Sequence, residues 1–215
     1  MRRAAFRRFV PALLFPFALR AAVPGEASPA EQPLPRAATS LLGDVDVYPR
    51  PAVTWLEVQV ELTRRGFSGG SIDGIRGPQS SAALRAFQRA QGLTESGQLD
   101  ESTARSLELD APALVWASLA PQDLAGLQPL EPTWLGKSRQ SALAHESALE
   151  LAAERFRAGA GFLRRINPGL DWDAITPATV FAAPAAEFVA KTERAAFLEI
   201  RLAEKVLEVF SADGR

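Results

Sequence analysis

Two glycine-hydrophobe pairs, Gly66-Phe67 and Gly92-Leu93, each close a stretch of helical period, and they constrain this chain more than any other feature. A glycine just past a helix supplies the left-handed residue of a Schellman cap, and the apolar residue after it folds back onto the last turn. Before the first pair, Trp55, Val58 and Leu62 recur at i, i+3 and i+7 as one apolar stripe. Glu57, Glu61, Arg64 and Arg65 are expected on the opposite, solvated face, with i, i+4 support. Before the second pair, a helix starts at Pro78, whose missing N–H costs nothing at that position, and buries Ala83, Leu84 and Phe87. A third helix follows from Asp100 as cap, with Leu99 and Ala104 spaced as a hydrophobic staple. The pattern predicts a three-helix unit from Trp55 to Leu107.

Between the first two helices runs Ser68-Gly69-Gly70-Ser71-Ile72-Asp73-Gly74-Ile75-Arg76-Gly77, too rich in glycine for helix or strand. Asp73-Gly74 is a strong turn signal. Ile72 and Ile75 are expected to anchor the loop in the core.

Gln59, Leu62, Gly66-Phe67, Ile72-Asp73-Gly74, Gly77, Ala83-Leu84, Phe87-Gln88, Gly92-Leu93, Gly97, Leu99-Asp100 and Thr103 to Leu107 together resemble the peptidoglycan-binding-like domain of bacterial cell-wall enzymes. The resemblance implies a compact helical domain, spanning residues 52–110, that places its partner on murein. Murein offers N-acetyl and lactyl oxygens and peptide carboxylates, which suit hydrogen-bond donors on a semi-rigid loop. The candidate ligand-binding residues are Asp73, Arg76, Gln79 and Arg85, with Gln59 or Gln88 behind them. Asp73 has a competing role, that of satisfying turn N–H groups. Gln88 has one as a partly buried packing amide. Arg76 and Arg85 are the stronger candidates for ligand contact.

At the N-terminus, Arg2, Arg3, Arg7 and Arg8 precede an apolar run from Phe9 to Leu19, with small residues around Gly25 and Ala27. Residues 1–27 are expected to be a secretory signal peptide, the run being too short to span a bilayer stably. Export to the periplasm or cell wall is then expected, with no stable membrane span after cleavage. Residues 28–51, rich in Pro, Ala and Ser, are expected to form an extended tether. The chain has no cysteine, which rules out disulfides, a lipid-bearing N-terminal cysteine, a thiolate metal site and a cysteine nucleophile. A net charge of −1 and the lack of a basic stripe argue against nucleic acid as partner.

Residues 111–136, broken by Pro112, Pro121, Pro129 and Pro132, are expected to be a packed connector, since Trp116, Leu119, Leu124 and Leu127 would be costly in water. Over residues 137–185, Ser147 and Glu150 form a capping box before a helix carrying Leu149, Ala152, Ala153 and Phe156. A second short helix with Phe162, Leu163 and Ile166 is stopped by Asn167-Pro168-Gly169, and an apolar strand ends at Pro184. Two helices flanked by short extended pieces, with Leu163 to Pro168 reading Leu-Arg-Arg-Ile-Asn-Pro, are similar to LysM, a β-α-α-β glycan-binding fold. The first strand is expected just before His145 and Glu146.

From residue 186 to 215 the apolar residues Phe197, Ile200, Leu202, Val206, Leu207, Val209 and Phe210 approach period-2 alternation around Ala203-Glu204-Lys205, a β-hairpin with Asp213-Gly214 as a further turn. The fold class is therefore mainly α (α+β). In this order the segments resemble the front of a secreted L,D-transpeptidase, whose β-rich catalytic domain would open with that hairpin. The family's cysteine chemistry needs a thiol, so no catalytic residue carries over. A truncated gene, a fragment or a binding-only descendant is the expectation.

Other chemistry is less well marked. Asp171, Asp173 and Glu187 read as solvated caps rather than an acid/base pair, and His145 with Glu146 and Glu150 as a solvated helix start rather than a metal site. No cofactor or metal is expected. Three readings stay open: a murein-binding protein taking glycan strands or stem peptides, the non-catalytic part of a transpeptidase, and a bracing module that never meets murein.

Overall fold

The computed structural model describes residues 33–43, 47–186, 194–203 and 206–212. The expected signal peptide, Glu187 and the Asp213-Gly214 turn lie outside them. Every described helix and strand belongs to the unit from Pro33 onward. That unit is mixed α+β.

In chain order the first part runs α1 (Arg36–Thr39), β1 (Arg50–Pro51), α2 (Trp55–Arg64), α3 (Pro78–Ala90), α4 (Glu101–Ser106) and β2 (Glu108–Leu109). The second runs β3 (Leu114–Ala117), α5 (Pro121–Ala125), α6 (Trp134–Arg139), α7 (Ala148–Arg155), α8 (Ala160–Ile166), β4 (Phe181–Pro184), β5 (Phe197–Arg201) and β6 (Val206–Phe210). The strands pair antiparallel as β1 with β2, β3 with β4 and β5 with β6.

Helix ends follow local chemistry closely. At Gly66 (φ +88°) the Phe67 N–H reaches the Leu62 carbonyl at 2.8 Å, and at Gly92 (φ +67°) the Leu93 N–H reaches the Gln88 carbonyl at 2.8 Å. Both are the six-to-one bonds of a Schellman motif. Asp100 accepts from the Thr103 N–H at 2.8 Å and caps α4. Thr54 and Glu57 form a reciprocal capping box on α2 that the pattern of apolar residues did not reveal. On α7 only half of the expected box forms. Ser147 accepts from the Glu150 N–H, but the Glu150 carboxylate takes the Glu146 N–H at 2.7 Å instead of returning to Ser147.

The expected solvated face of α2 is buried. Leu56 through Thr63 are all inside, with Glu57 at 0% exposure. The cause is chain wrapping over that face. Glu57 pairs with Arg50 and accepts from the N–H groups of Gly43, Val53 and Thr54. Glu61 pairs with Arg64 and Arg65, which in turn donate to backbone carbonyls: Arg65 to Ser106 and Glu108, Arg64 to Ala111, Pro112 and Ala185. The stretch expected to be a tether is partly docked for the same reason. Ala38 in α1 is fully buried and packs toward α8, and Arg50 pairs in register with Leu109. Proline and alanine do not prevent a short segment from covering an apolar face.

In the second part, α7 and α8 stand as expected, but no strand lies just before His145. The strand that pairs with β4 is β3, in register Leu114 to Pro184 through Ala117 to Phe181, inside the expected connector. Leu114 is buried beneath this pairing, and α5 and α6 fill the excursion between β3 and α7. Asn167 joins α8 to β4: its Nδ2 donates to the carbonyls of Leu163 and Ala182 and its Oδ1 accepts from the Ala182 N–H at 2.7 Å. The hairpin β5–β6 aligns Phe197 with Phe210, their rings stacked 4.6 Å apart.

Candidate functional site

The loop after α2 is held from below by Gln59, which is buried. Its Oε1 accepts from the N–H groups of Asp73 and Gly74 at 3.1 and 2.7 Å, and its Nε2 donates to Asp73 Oδ1, the Ile75 carbonyl and Ser80 Oγ at 2.9 to 3.1 Å. One carboxamide thus replaces the partners a strand would have given the loop backbone. Asp73 also accepts from the Ile75 N–H at 2.8 Å, so its role here is to close the turn. Ile72 is fully buried, as expected, whereas Ile75 is 60% exposed; the bonds to its N–H and carbonyl, not its side chain, fix that residue.

Gln88 repeats the device one helix later. Fully buried, it accepts from the Gly97 N–H at 2.8 Å and donates to Ser96 Oγ, the Gln98 carbonyl and Thr103 Oγ1. It is a loop-pinning amide and offers nothing to a ligand.

The loop so fixed is the meeting point of two guanidinium groups. Arg76 donates to Ser81 Oγ at 3.2 Å and to the Gly97 carbonyl at 3.3 Å, with its Cζ 5.5 Å above the Trp55 ring. Arg85 rises from α3 against the same glycine: a Cβ built on Gly97 (φ +63°) would lie 2.8 Å from its guanidinium and 3.0 Å from the Ser81 carbonyl oxygen. The left-handed backbone and the Ser81 carbonyl make this position a glycine's, and the small residue leaves room for the Arg85 guanidinium. The Arg85 guanidinium hydrogen-bonds to none of the described residues, so its donors face solvent, as do those Arg76 does not spend. Two cations beside an aromatic ring and a fixed loop suit a carboxylate-bearing, partly apolar ligand.

Of the four sequence candidates, the structure brings Arg76 and Arg85 together and separates the other two. Asp73 is committed to Gln59 and the turn. Gln79 lies at the far end of the loop, its side-chain oxygen against Gly70. Trp55, Ser81 and Gly97 belong to the site without standing out as site residues in the sequence. Trp55 was legible only as a member of the α2 stripe; being half-buried rather than buried, it keeps a face for Arg76.

The second part of the chain braces the loop. Ile72 donates to the Arg157 carbonyl at 2.7 Å and accepts from the Gly159 N–H, and Arg165 donates to the Asp73 carbonyl at 2.7 Å. Arg157 occupies the left-handed position after α7 at φ +52°, where glycine is usual, and the Ala158 N–H closes a third Schellman bond onto Ala153. A groove of about 340 Å³ lies at this junction beside Gly70, Ser71, Glu150 and Arg157. Another of about 330 Å³ lies on the loop after α8, beside Asn167, Gly169, Asp171 and Trp172. Of the residues weighed for acid/base or metal chemistry, Asp171 accepts from the Asp173 N–H, and His145 pairs with Glu154 at 2.9 Å.

Four of the described carboxylates, Glu57, Glu95, Asp100 and Asp123, are held below their ordinary pKa values, Glu95 and Asp123 chiefly by the arginines Arg89 and Arg155 beside them. Burial alone would raise the Glu57 carboxyl, but the Arg50 guanidinium and three backbone N–H groups outweigh it and hold the pKa below its ordinary value. Asp100 is lowered to about 2, first by the Thr103 N–H it caps and then by the Ser102 and Thr103 hydroxyls.

Residues 52–107 match the family described as "Putative peptidoglycan binding domain". A stretch of 47 residues is 47% identical to part of a Nostoc punctiforme protein described as "Putative OxPP cycle protein OpcA", covering 22% of this chain and 10% of that one. The chain thus spans about a tenth of that relative's length. Residues 52–107 are thus the part of the chain that is similar to a peptidoglycan-binding domain.

Proposed function

We propose that the chain is a non-catalytic, murein-binding part of an exported bacterial protein, and that the contact face is the surface around Gly97. The observation that carries this reading is the convergence of Arg76 and Arg85 on one glycine beside Trp55, inside the domain that matches the peptidoglycan-binding family. Stem peptides carry carboxylates for the two guanidinium groups, and the aromatic ring accepts the apolar side of a sugar or a methyl group. A binding domain of this kind is consistent with a cell-wall or periplasmic location. The fold we attach is a three-helix peptidoglycan-binding-like bundle followed by a LysM-like β-α-α-β unit, supported by the β3–β4 pair flanking α7 and α8. Neither uses nucleic acid or a cofactor.

A second reading makes the same modules the brace of an L,D-transpeptidase catalytic domain. It is favoured by the hairpin, where Leu198, Ile200, Leu207 and Val209, all on one face, are 56–61% exposed. A two-stranded ribbon of this composition calls for further sheet to cover it.

Cosedimentation of the protein with purified insoluble murein tests the first reading. The wild type is expected in the pellet, and the Arg76→Ala/Arg85→Ala double variant should lose roughly tenfold or more in retention, the scale of charge-assisted hydrogen bonds. A folded wild type that stays in the supernatant would leave only the bracing role.

A further inference from the structure

We propose that Trp134 is an aromatic platform for a pyranose ring, giving the chain a second contact with murein glycan remote in sequence from the arginine pair. The proposal rests on the peptidoglycan reading above. Helices α5 and α6 bury no residue. The excursion that carries them is nevertheless ordered, and by polar bonds: Gln140 donates to the Pro129 carbonyl and accepts from the Glu131 N–H, Gln128 is held by the His145 and Ala142 carbonyls, and Thr133 caps α6 through the Gly136 N–H. Leu124 and Leu127 anchor the excursion against the core, but α6 itself buries nothing and leaves its surface as what it offers.

That surface presents a tryptophan 86% exposed. An indole is among the costliest side chains to leave in water, and its use at protein surfaces is as a flat binding face. The Lys137 ammonium stands 5.6 Å from the ring centroid, and Glu131 packs against Gly136, where any Cβ would come within 2.6 Å of the glutamate Cβ. The ring therefore carries a cationic hydrogen-bond donor over one face, beside an otherwise exposed indole. A pyranose has the matching form, an apolar C–H face with polar hydroxyl and acetamido groups around its rim. A bilayer fits less well. Leu135 is exposed too, but successive helix positions diverge by about 100°, so Trp134 and Leu135 do not build one inserting face.

The test compares the full chain with its Trp134→Ala and Trp134→Phe variants on three probes: insoluble murein, a soluble tetrasaccharide of N-acetylglucosamine, and phosphatidylglycerol vesicles. Because α6 buries nothing, Tm should be unchanged in both variants. The proposal expects W134A to weaken murein and tetrasaccharide binding by roughly two- to tenfold, the size of one aromatic contact, with W134F between. Unchanged binding of W134A to both, while the wild type is retained on murein, overturns the platform and leaves the function standing. Loss confined to the vesicles overturns it in favour of a membrane contact. A wild type that binds no murein removes the reading on which it rests.

Discussion

The helical domain at residues 52–107 and the hairpin β5–β6 are announced in the sequence by equally clear local patterns, yet one is closely packed and the other leaves one apolar face open. Leu56, Leu62, Leu84 and Phe87 are fully buried, while Leu198, Ile200, Leu207 and Val209 are exposed. Period and turn chemistry choose the element, whereas burial needs a second surface of complementary shape. In the helical domain that surface comes from β1, β2 and the chain around residues 107–113, and it arrives with its own charges.

The largest contrast should appear at Glu57 and Glu208. Removing the Glu57 carboxylate in Glu57→Ala strips Arg50 of its carboxylate and three backbone N–H groups of their acceptor, which costs about 3–5 kcal/mol. Glu208 also bridges two arginines, Arg89 and Arg201, but on the surface, so Glu208→Ala should cost about 1 kcal/mol or less. Urea unfolding followed by circular dichroism compares them, and equal losses would break the distinction.

Core truncation sharpens the same comparison. Leu84→Ala should lower stability by roughly 2–5 kcal/mol, and Leu207→Ala should stay within about 0.5 kcal/mol. A loss of several kcal/mol at Leu207 would mean that a covering layer is present in solution.

The smallest effect concerns acid. Asp100 titrates lower in the folded chain, at about 2, than an unfolded aspartate at about 3.9. Its stabilisation is therefore complete above the unfolded value and is lost as pH falls through that window toward about 2. Glu57, also lowered, acts in the same direction. Thermal unfolding between pH 5 and pH 2 should show Tm falling, less steeply in Asp100→Asn; an identical slope would show that the cap carries no linkage.

Much of the fold was legible because it is set within five residues. Gly66 and Gly92 end their helices, Pro78 starts one and Asp100 caps one, all through bonds to near neighbours. The misread parts depend on distant ones. The charged face of α2 is buried because Arg64 reaches carbonyls at 111, 112 and 185; β3 was hidden in the connector because its partner lies near residue 184; and the tether docks because α8 offers a face for Ala38. The site divides in the same way. Arg76 and Arg85 stand out as donors on a loop and a helix entrance, but their meeting at Gly97 depends on Gln88 fixing a loop nine residues further on. Nothing local indicates that Gln79 points toward Gly70 instead.

The most direct measurement of the central claim is an amide NMR titration of the protein with a soluble disaccharide-peptide fragment of murein. Binding at the arginine pair predicts that the largest shifts fall on Arg76, Ser81, Arg85 and Gly97, with the hairpin resonances unmoved. Saturating shifts confined to another surface, such as Gly169 to Asp173, or no shifts at all, would contradict it.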